Sequence, residues 1–497
     1  MSNKKGNILA IGIMFFLFAM ISFVTGLQNP MGIIVKSQFG ATNAMSQLGN
    51  LANFIAYAFM GLPAGFILKR KGYKFTSLAA VAVGFTGVGI SYLSGVVGNF
   101  WVYLLGAFVS GFSMCMLNTV VNPMLNTLGG GGNKGNQLIQ FAGSLNSLSA
   151  TIVPVFVGYL IGDAAKATIS DANPALFIAM GIFAVAFVII LLSYIPEPEL
   201  EAAKEAKAEE ESTGKLIKGA LSHKNLVFGV IAIFLYVGLE VGIPNTVNNY
   251  LTTKSKAQLE AAVAANQKTL ADLEALAAAS QDSTLVAPVI DVEKLLADKN
   301  VADVEALAAV LAKENTENQA KLDDADYQEG LGKEAGFAGA VVGIYWLLML
   351  CGRLLGGVIG GKVSSRAMMI TVSSVSMLLI VLGILLPGAT VNFPSVTSEL
   401  KFAMVEIPLG IMLFVLCGLC TSVMWGAIFN LAVEGLGKYT SIASGLFMVM
   451  VCGGGVLPFI QGAVADAAGF MSSFWVLVAA VAYILWFAVS GSKVKKA

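Results

Sequence analysis

The chain has 497 residues, of which 57% are hydrophobic and 12% charged; acidic and basic residues balance at 30 each, and the formal net charge is zero. A soluble chain of this length would need far more charged surface, so the composition excludes an ordinary water-soluble enzyme and points to a polytopic α-helical membrane protein. The only histidine is His223, in a charged loop, which excludes a His-based metal site or catalytic triad. Cys115, Cys351, Cys417, Cys420 and Cys452 all fall inside apolar runs. Cys417-x-x-Cys420 has no second pair and no histidine near it, which argues against a redox or metal centre. No nucleophile–base pair stands within the spans, so no enzymatic chemistry is expected and no nucleic-acid partner either.

In chain order, twelve apolar segments can be drawn, at about 8–34, 44–68, 75–96, 100–126, 137–162, 174–194, 226–250, 336–360, 367–387, 402–432, 441–466 and 471–491. The first follows a short Lys-containing start and resembles a secretion signal. It lacks a cleavage-type sequence and runs on into polar residues, so it reads as a retained span. Basic residues flank alternate ends: Lys4 and Lys5; Lys69, Arg70, Lys71 and Lys74; Lys134; Lys215, Lys218 and Lys224; Lys362 and Arg366; Lys438; Lys493, Lys495 and Lys496. With an even number of spans all of them face one side, the cytoplasm by the positive-inside rule, with both termini there. In a bacterium this would be the inner membrane.

Two polar segments interrupt the pattern. Residues 196–224 are charged and of low complexity, a cytoplasmic linker between a first bundle, 1–195, and a second, 225–497. Residues 251–335 are Ala-rich and acidic, with Leu and Val recurring at helical spacing, and predict two or three amphipathic helices on the outer side. They form either a solvated cap or a lid that docks an outer partner.

Repeats link the two bundles. Gly61-x-x-x-Gly65 followed by a basic turn, Arg70 included, recurs as Gly352-Arg353-x-x-Gly356 followed by Lys362. Pro154-x-x-x-Gly158 with Asp163 recurs as Pro458-x-x-x-Gly462 with Asp466. The chain therefore predicts an all-α fold of two pseudo-symmetric six-helix halves, with a cavity between them near the midplane. Gly65, Arg70, Arg353 and Gly356 are candidates for conformational control, Arg353 chiefly by tying helix ends on the inner face.

Polar residues inside the spans mark the candidate site. Span one has Gln28 and Asn29, span four Asn118 and Asn122 one turn apart, span five Gln140 and Asn146, and span seven Asn245 and Asn249. Trp346 and Trp425 lie in spans eight and ten. Amides offer donors and acceptors together, as sugar hydroxyls require, and indole rings suit the apolar faces of a pyranose. The alternative for each amide is interhelical glue, worth about 0.6 kcal/mol. Glu240 stands near mid-depth in span seven, where a carboxylate costs about 2.5–3.5 kcal/mol unless it faces protein or water. It is a candidate for coupling-ion binding or for a structural pair with another helix. Gly242 and Pro244 predict a loosened helix there, with freed carbonyls.

The chain resembles the major facilitator superfamily and, within it, the fucose/glucose–galactose type of sugar symporter. The resemblance rests on LNTVVNPMLNTLG at 117–129, FLYVGLEVGIPNTVNNYL at 234–251, IFNLAVEGLGKYTSIASG at 428–445 and GGGVLPFIQGAVAD at 453–466. It covers nearly all of the chain outside 251–335. It implies a secondary transporter that imports a monosaccharide by alternating access, as a monomer without a cofactor beyond a coupling ion. Two positions depart from the proton-coupled fucose carriers: amides stand at Asn29 and Asn118 where those have carboxylates. Glu240 is then the one carboxylate deep in a span, which leaves sodium coupling, proton coupling or facilitated diffusion open. Trp425-Gly426 replaces Phe-Pro, so the preferred sugar need not carry over. An amino acid or peptide is an alternative cargo. A membrane sensor or assembly protein working through 251–335 is the alternative of another class.

Overall fold

The computed structural model describes residues 2–27, 31, 48–161, 169–197, 213–281, 288–299, 301–325, 327–333, 335–386, 388–396 and 402–493. The first half comprises α1 (Ser2–Gly26), α2 (Leu48–Val97), α3 (Phe100–Leu128), α4 (Gly132–Ile161) and α5 (Asn173–Leu192). A short α6 (Thr213–Leu221) leads into α7 (Lys224–Thr252). The segment between α7 and the next apolar helix forms α8 (Lys256–Gln281), α9 (Val292–Lys299) and α10 (Val304–Asp323). The second half continues with α11 (Ala335–Gly360) and α12 (Ser365–Leu385), then α13 (Leu409–Thr421), α14 (Met424–Val433), α15 (Thr440–Met450), α16 (Gly453–Ala468) and α17 (Phe470–Trp486). Among the described residues nine helices are long and apolar enough to cross a membrane, or ten when α13 and α14, bent by 40°, are taken as one span.

The long α2 holds two of the apolar runs. They meet at Gly72, whose φ of 82° is open to glycine and strained for other residues. The new run starts with unpaired N–H groups, as any helix does. Glu197 accepts from Tyr73 N at 2.7 Å and from Lys74 N at 2.8 Å, an anion placed at a positive helix end. Lys74 Nζ donates to the carbonyls of Leu191 and Ser193 at the end of α5, both at 2.9 Å. The basic turn is thereby fastened to the far end of its own half.

The all-α expectation needs one correction. Between α12 and α13 the chain forms an antiparallel hairpin, β1 (Thr390–Val396) with β2 (Phe402–Pro408), in register from Thr390 opposite Pro408 to Val396 opposite Phe402. The span drawn at 402–432 therefore starts at Leu409. Phe402–Pro408 is as apolar as the helix behind it, so hydropathy merged the two; its alternation of Val405 and Ile407 with Met404 and Glu406 carries the period of a strand.

The inserted helices α8–α10 have their own small core of Leu273, Leu307 and Leu311, with Lys299 paired to Glu314 at 2.6 Å. Its neck is closed by backbone bonds. Leu331 N donates to Tyr250 O at 2.9 Å, Gly332 N to Thr253 O at 2.7 Å and Lys333 N to Leu251 O at 2.7 Å. The returning strand thus satisfies carbonyls that the end of α7 would leave bare. Gln328 adds a bond to Asp466 O on α16 at 3.3 Å, so the segment is fastened to the second half.

Candidate functional site

Among the described residues the two halves meet chiefly at a pair of helix crossings at the Lys-rich end, α2 with α15 and α4 with α11. In the first, a Cβ on Gly61 would lie 2.8 Å from Gly445 O, and one on Gly445 would lie 2.7 Å from Gly61 O and 3.2 Å from the Cα of Gly65. Only hydrogen atoms fit there, so Gly65 serves backbone-to-backbone packing. In the second, Gly357 faces the Phe141 ring and Gly361 faces Gln137. Gly356 turns instead toward Val423 of its own half. One residue along a helix rotates the side chain by about 100°, and this moves the contact with the other half from 356 to 357. Arg70 is exposed at the basic turn.

Arg353 occupies the centre of the second crossing. Its guanidinium donates to Gly143 O at 2.8 Å, Ser147 Oγ at 2.7 Å and Asn146 Oδ1 at 3.3 Å on α4. It also donates to Ser422 O at 3.3 Å and to Glu240 Oε1 at 3.0 Å on its own side. The pair is largely enclosed, with side-chain exposures of 9% for Arg353 and 15% for Glu240. Arg353 therefore bridges the halves through five acceptors, where the sequence had placed it chiefly as a tie between helix ends. A planar fork of donors suits such a site better than a lysine. Asn146 completes the bridge with Nδ2 donating to Phe18 O at 3.3 Å.

Of the remaining amides, Asn122 and Gln140 also span the seam. Asn122, fully buried, accepts from Trp425 Nε1 at 2.9 Å and donates to Asn118 O at 2.9 Å. Asn118 Nδ2 donates to Tyr57 Oη at 3.2 Å and to Met114 O at 3.1 Å. Gln140 Nε2 reaches across to Val423 O at 2.9 Å. Asn122, Gln140, Asn146 and Trp425 are thus brought together, but each is engaged by protein in this conformation. Asn245 is half-buried further along α7, and Asn249 is exposed near its C-terminal end. Trp346 is half-buried and edge-on to Tyr345, with centroids 5.4 Å apart, so it supports a neighbouring ring. Gln28 and Asn29 lie outside the described residues.

The expected break at Gly242–Pro244 is absent; α7 is continuous from Lys224 to Thr252. Proline lacks the N–H that would bond the carbonyl four residues back. The Glu240 carbonyl so released accepts from Tyr345 Oη at 3.3 Å. Pro123 in α3 does the same to Thr119, whose carbonyl accepts from Ser444 Oγ of α15 at 3.2 Å. Gly242 has a packing role, since its missing Cβ leaves room for the Gln461 side chain. Two hollows, of ≈ 370 and ≈ 480 Å³, lie at the neck and on the outer helices, away from this seam.

Tyr236 and Ser444 join the site without having been marked by the sequence. Tyr236 had a legible signal: it stands four residues before Glu240, on the same face of α7.

The sequence profile described as Major Facilitator Superfamily matches residues 13–265. A Helicobacter pylori protein named provisionally as a glucose/galactose transporter is 26% identical over 507 aligned positions, covering 99% of this chain and 98% of its own. A Brucella abortus glucose/galactose transporter is 24% identical over 495, covering 99% and 96%. Among solved structures, the superfamily transporter FucP in its outward conformation superposes with a TM-score of 0.67 at 16% identity, over 98% of this chain and 100% of that one.

Proposed function

This chain belongs to the Major Facilitator Superfamily, and we propose that it is a secondary transporter importing a monosaccharide by alternating access, coupled to sodium or protons. Counting Leu48–Val97 as two spans and adding Gly132–Ile161 to the ten gives the twelve-span plan. The bonds between the halves gather at the Lys-rich, cytoplasmic end, so this conformation is closed inside. Two relatives that match over nearly their whole length are named for glucose and galactose, which supports a hexose as cargo.

The observation that carries the mechanism is the Glu240–Arg353 pair at 3.0 Å, with Arg353 also holding Gly143, Asn146 and Ser147 of the other half. Glu240 is placed so that a cation arriving at its carboxylate competes with Arg353. A change there is passed through the guanidinium to the contact between the halves. Asn118, Asn122, Gln140 and Trp425 serve the sugar when their mutual bonds part. The protein works as a monomer in a bacterial inner membrane with both termini inside, and 251–335 is its outer cap.

The test is uptake into proteoliposomes with sodium and proton gradients imposed separately. One gradient is expected to drive accumulation of a hexose. Glu240→Gln is expected to abolish that accumulation and to spare counterflow exchange, because Arg353 keeps its other acceptors. Undiminished accumulation in the variant removes Glu240 from coupling.

A further inference from the structure

We propose that Tyr236 is a sugar-binding residue whose phenol bonds one ring hydroxyl of the cargo beside Trp425; the proposal rests on the sugar-carrier reading and deepens it. Tyr236 is fully buried, and its Oη has no hydrogen-bond partner. The Glu240 and Arg353 side chains lie close enough to interact with it, but neither contact meets full hydrogen-bond geometry. Burying a hydroxyl without a partner is costly, and phenylalanine would fill the same space without that cost. A phenol kept here therefore has work in another state of the cycle.

The surroundings indicate the ligand. The Tyr236 ring lies 6.2 Å from the Trp425 ring at an interplanar angle of 57°. The Trp425 indole N–H is held by Asn122 of the other half at 2.9 Å. An aromatic face, a phenol, a carboxamide and a carboxylate–guanidinium pair thus converge from four helices, α3, α7, α11 and α14. Apolar ring faces with interleaved donors and acceptors match a pyranose, which presents C–H bonds on its faces and hydroxyls around its edge. When the halves part, Asn122 and the indole lose each other, and the sugar takes up those groups together with the Tyr236 hydroxyl. Tyr345 illustrates the contrast: it is equally buried on the neighbouring helix, but its hydroxyl is engaged by Glu240 O at 3.3 Å and Thr421 Oγ1 at 3.1 Å.

The experiment compares wild-type protein and Tyr236→Phe in proteoliposomes, using the transported hexose and its set of monodeoxy analogues, with thermal unfolding of both in detergent. The variant is expected to unfold at the same temperature or higher, since it removes an unpaired polar atom. It is expected to raise KM for the parent hexose about 5- to 10-fold. That penalty is expected to vanish for the one analogue lacking the bonded hydroxyl. An equal penalty for every analogue would mean the phenol acts on Glu240 or Arg353 instead, and it overturns the proposal, as does an unchanged KM throughout. Failure of the wild-type protein to transport any hexose defeats the sugar-carrier reading itself, and the wild-type curve shows it before any variant is measured.

Discussion

The two crossings between the halves have related places in the repeat but different chemistry. Where α2 meets α15, contact is dry and close: Gly61, Gly65 and Gly445 bring backbones together, with Ser444 bonded to Thr119 O at 3.2 Å nearby. Where α4 meets α11, the Arg353 guanidinium, paired with Glu240 of its own half, holds the surfaces through its bonds to Gly143, Asn146 and Ser147. A pseudo-symmetric architecture thus places a contact fixed by shape opposite one set by charge. In the transport cycle proposed above, a small cation acts on the second and has nothing to act on in the first. This asymmetry gives alternating access a place to be controlled.

The sharpest way to break that contrast is Arg353→Met. It leaves Glu240 enclosed without its counter-charge, a loss of about 3–5 kcal/mol by analogy with other buried pairs. Thermal unfolding in detergent is expected to fall accordingly, and the double change with Glu240→Gln is expected to recover a large part. No recovery would mean that the bonds to α4, not the ion pair, carry the stability. Next in size, Gly445→Val puts a side chain where Gly61 O already sits. Overpacking of about 1–3 kcal/mol is expected. Because the crossing responds to shape alone, the unfolding temperature in detergent should fall and the fractional loss of uptake should be the same whichever gradient is imposed. The smallest effect belongs to Ser444→Ala, which removes the bond to the carbonyl that Pro123 releases. About 0.6 kcal/mol is expected, with uptake changed less than threefold. A larger drop in uptake would give the dry crossing a polar role that its geometry does not assign.

Much of this was legible in the residues. Hydropathy and the spacing of basic residues marked the spans, and the repeat of Gly61-x-x-x-Gly65 at Gly352-x-x-x-Gly356 marked paired helix ends. The outer helices were legible from the Leu and Val spacing of 256–323. The hairpin was not, because Phe402–Pro408 shares its apolar character with the helix behind it. Gly242 and Pro244 gave a real signal with a different outcome: proline did release a carbonyl, and Tyr345 took it without breaking the helix. Tyr236 was overlooked because a tyrosine in an apolar helix looks like core until its hydroxyl is found unpaired.

Composition and periodicity determined that this chain lies in a membrane as two related helical halves, because an apolar environment forces every backbone group into internal bonds and stamps that need on the sequence. Side-chain partnership is a different matter. That Arg353 meets Glu240 from 113 positions away depends on how the second half packs, and that Trp425 meets Asn122 across 303 depends on how the halves close; no local pattern encodes either. Only the tertiary structure decided that one crossing is held by charge and the other by shape.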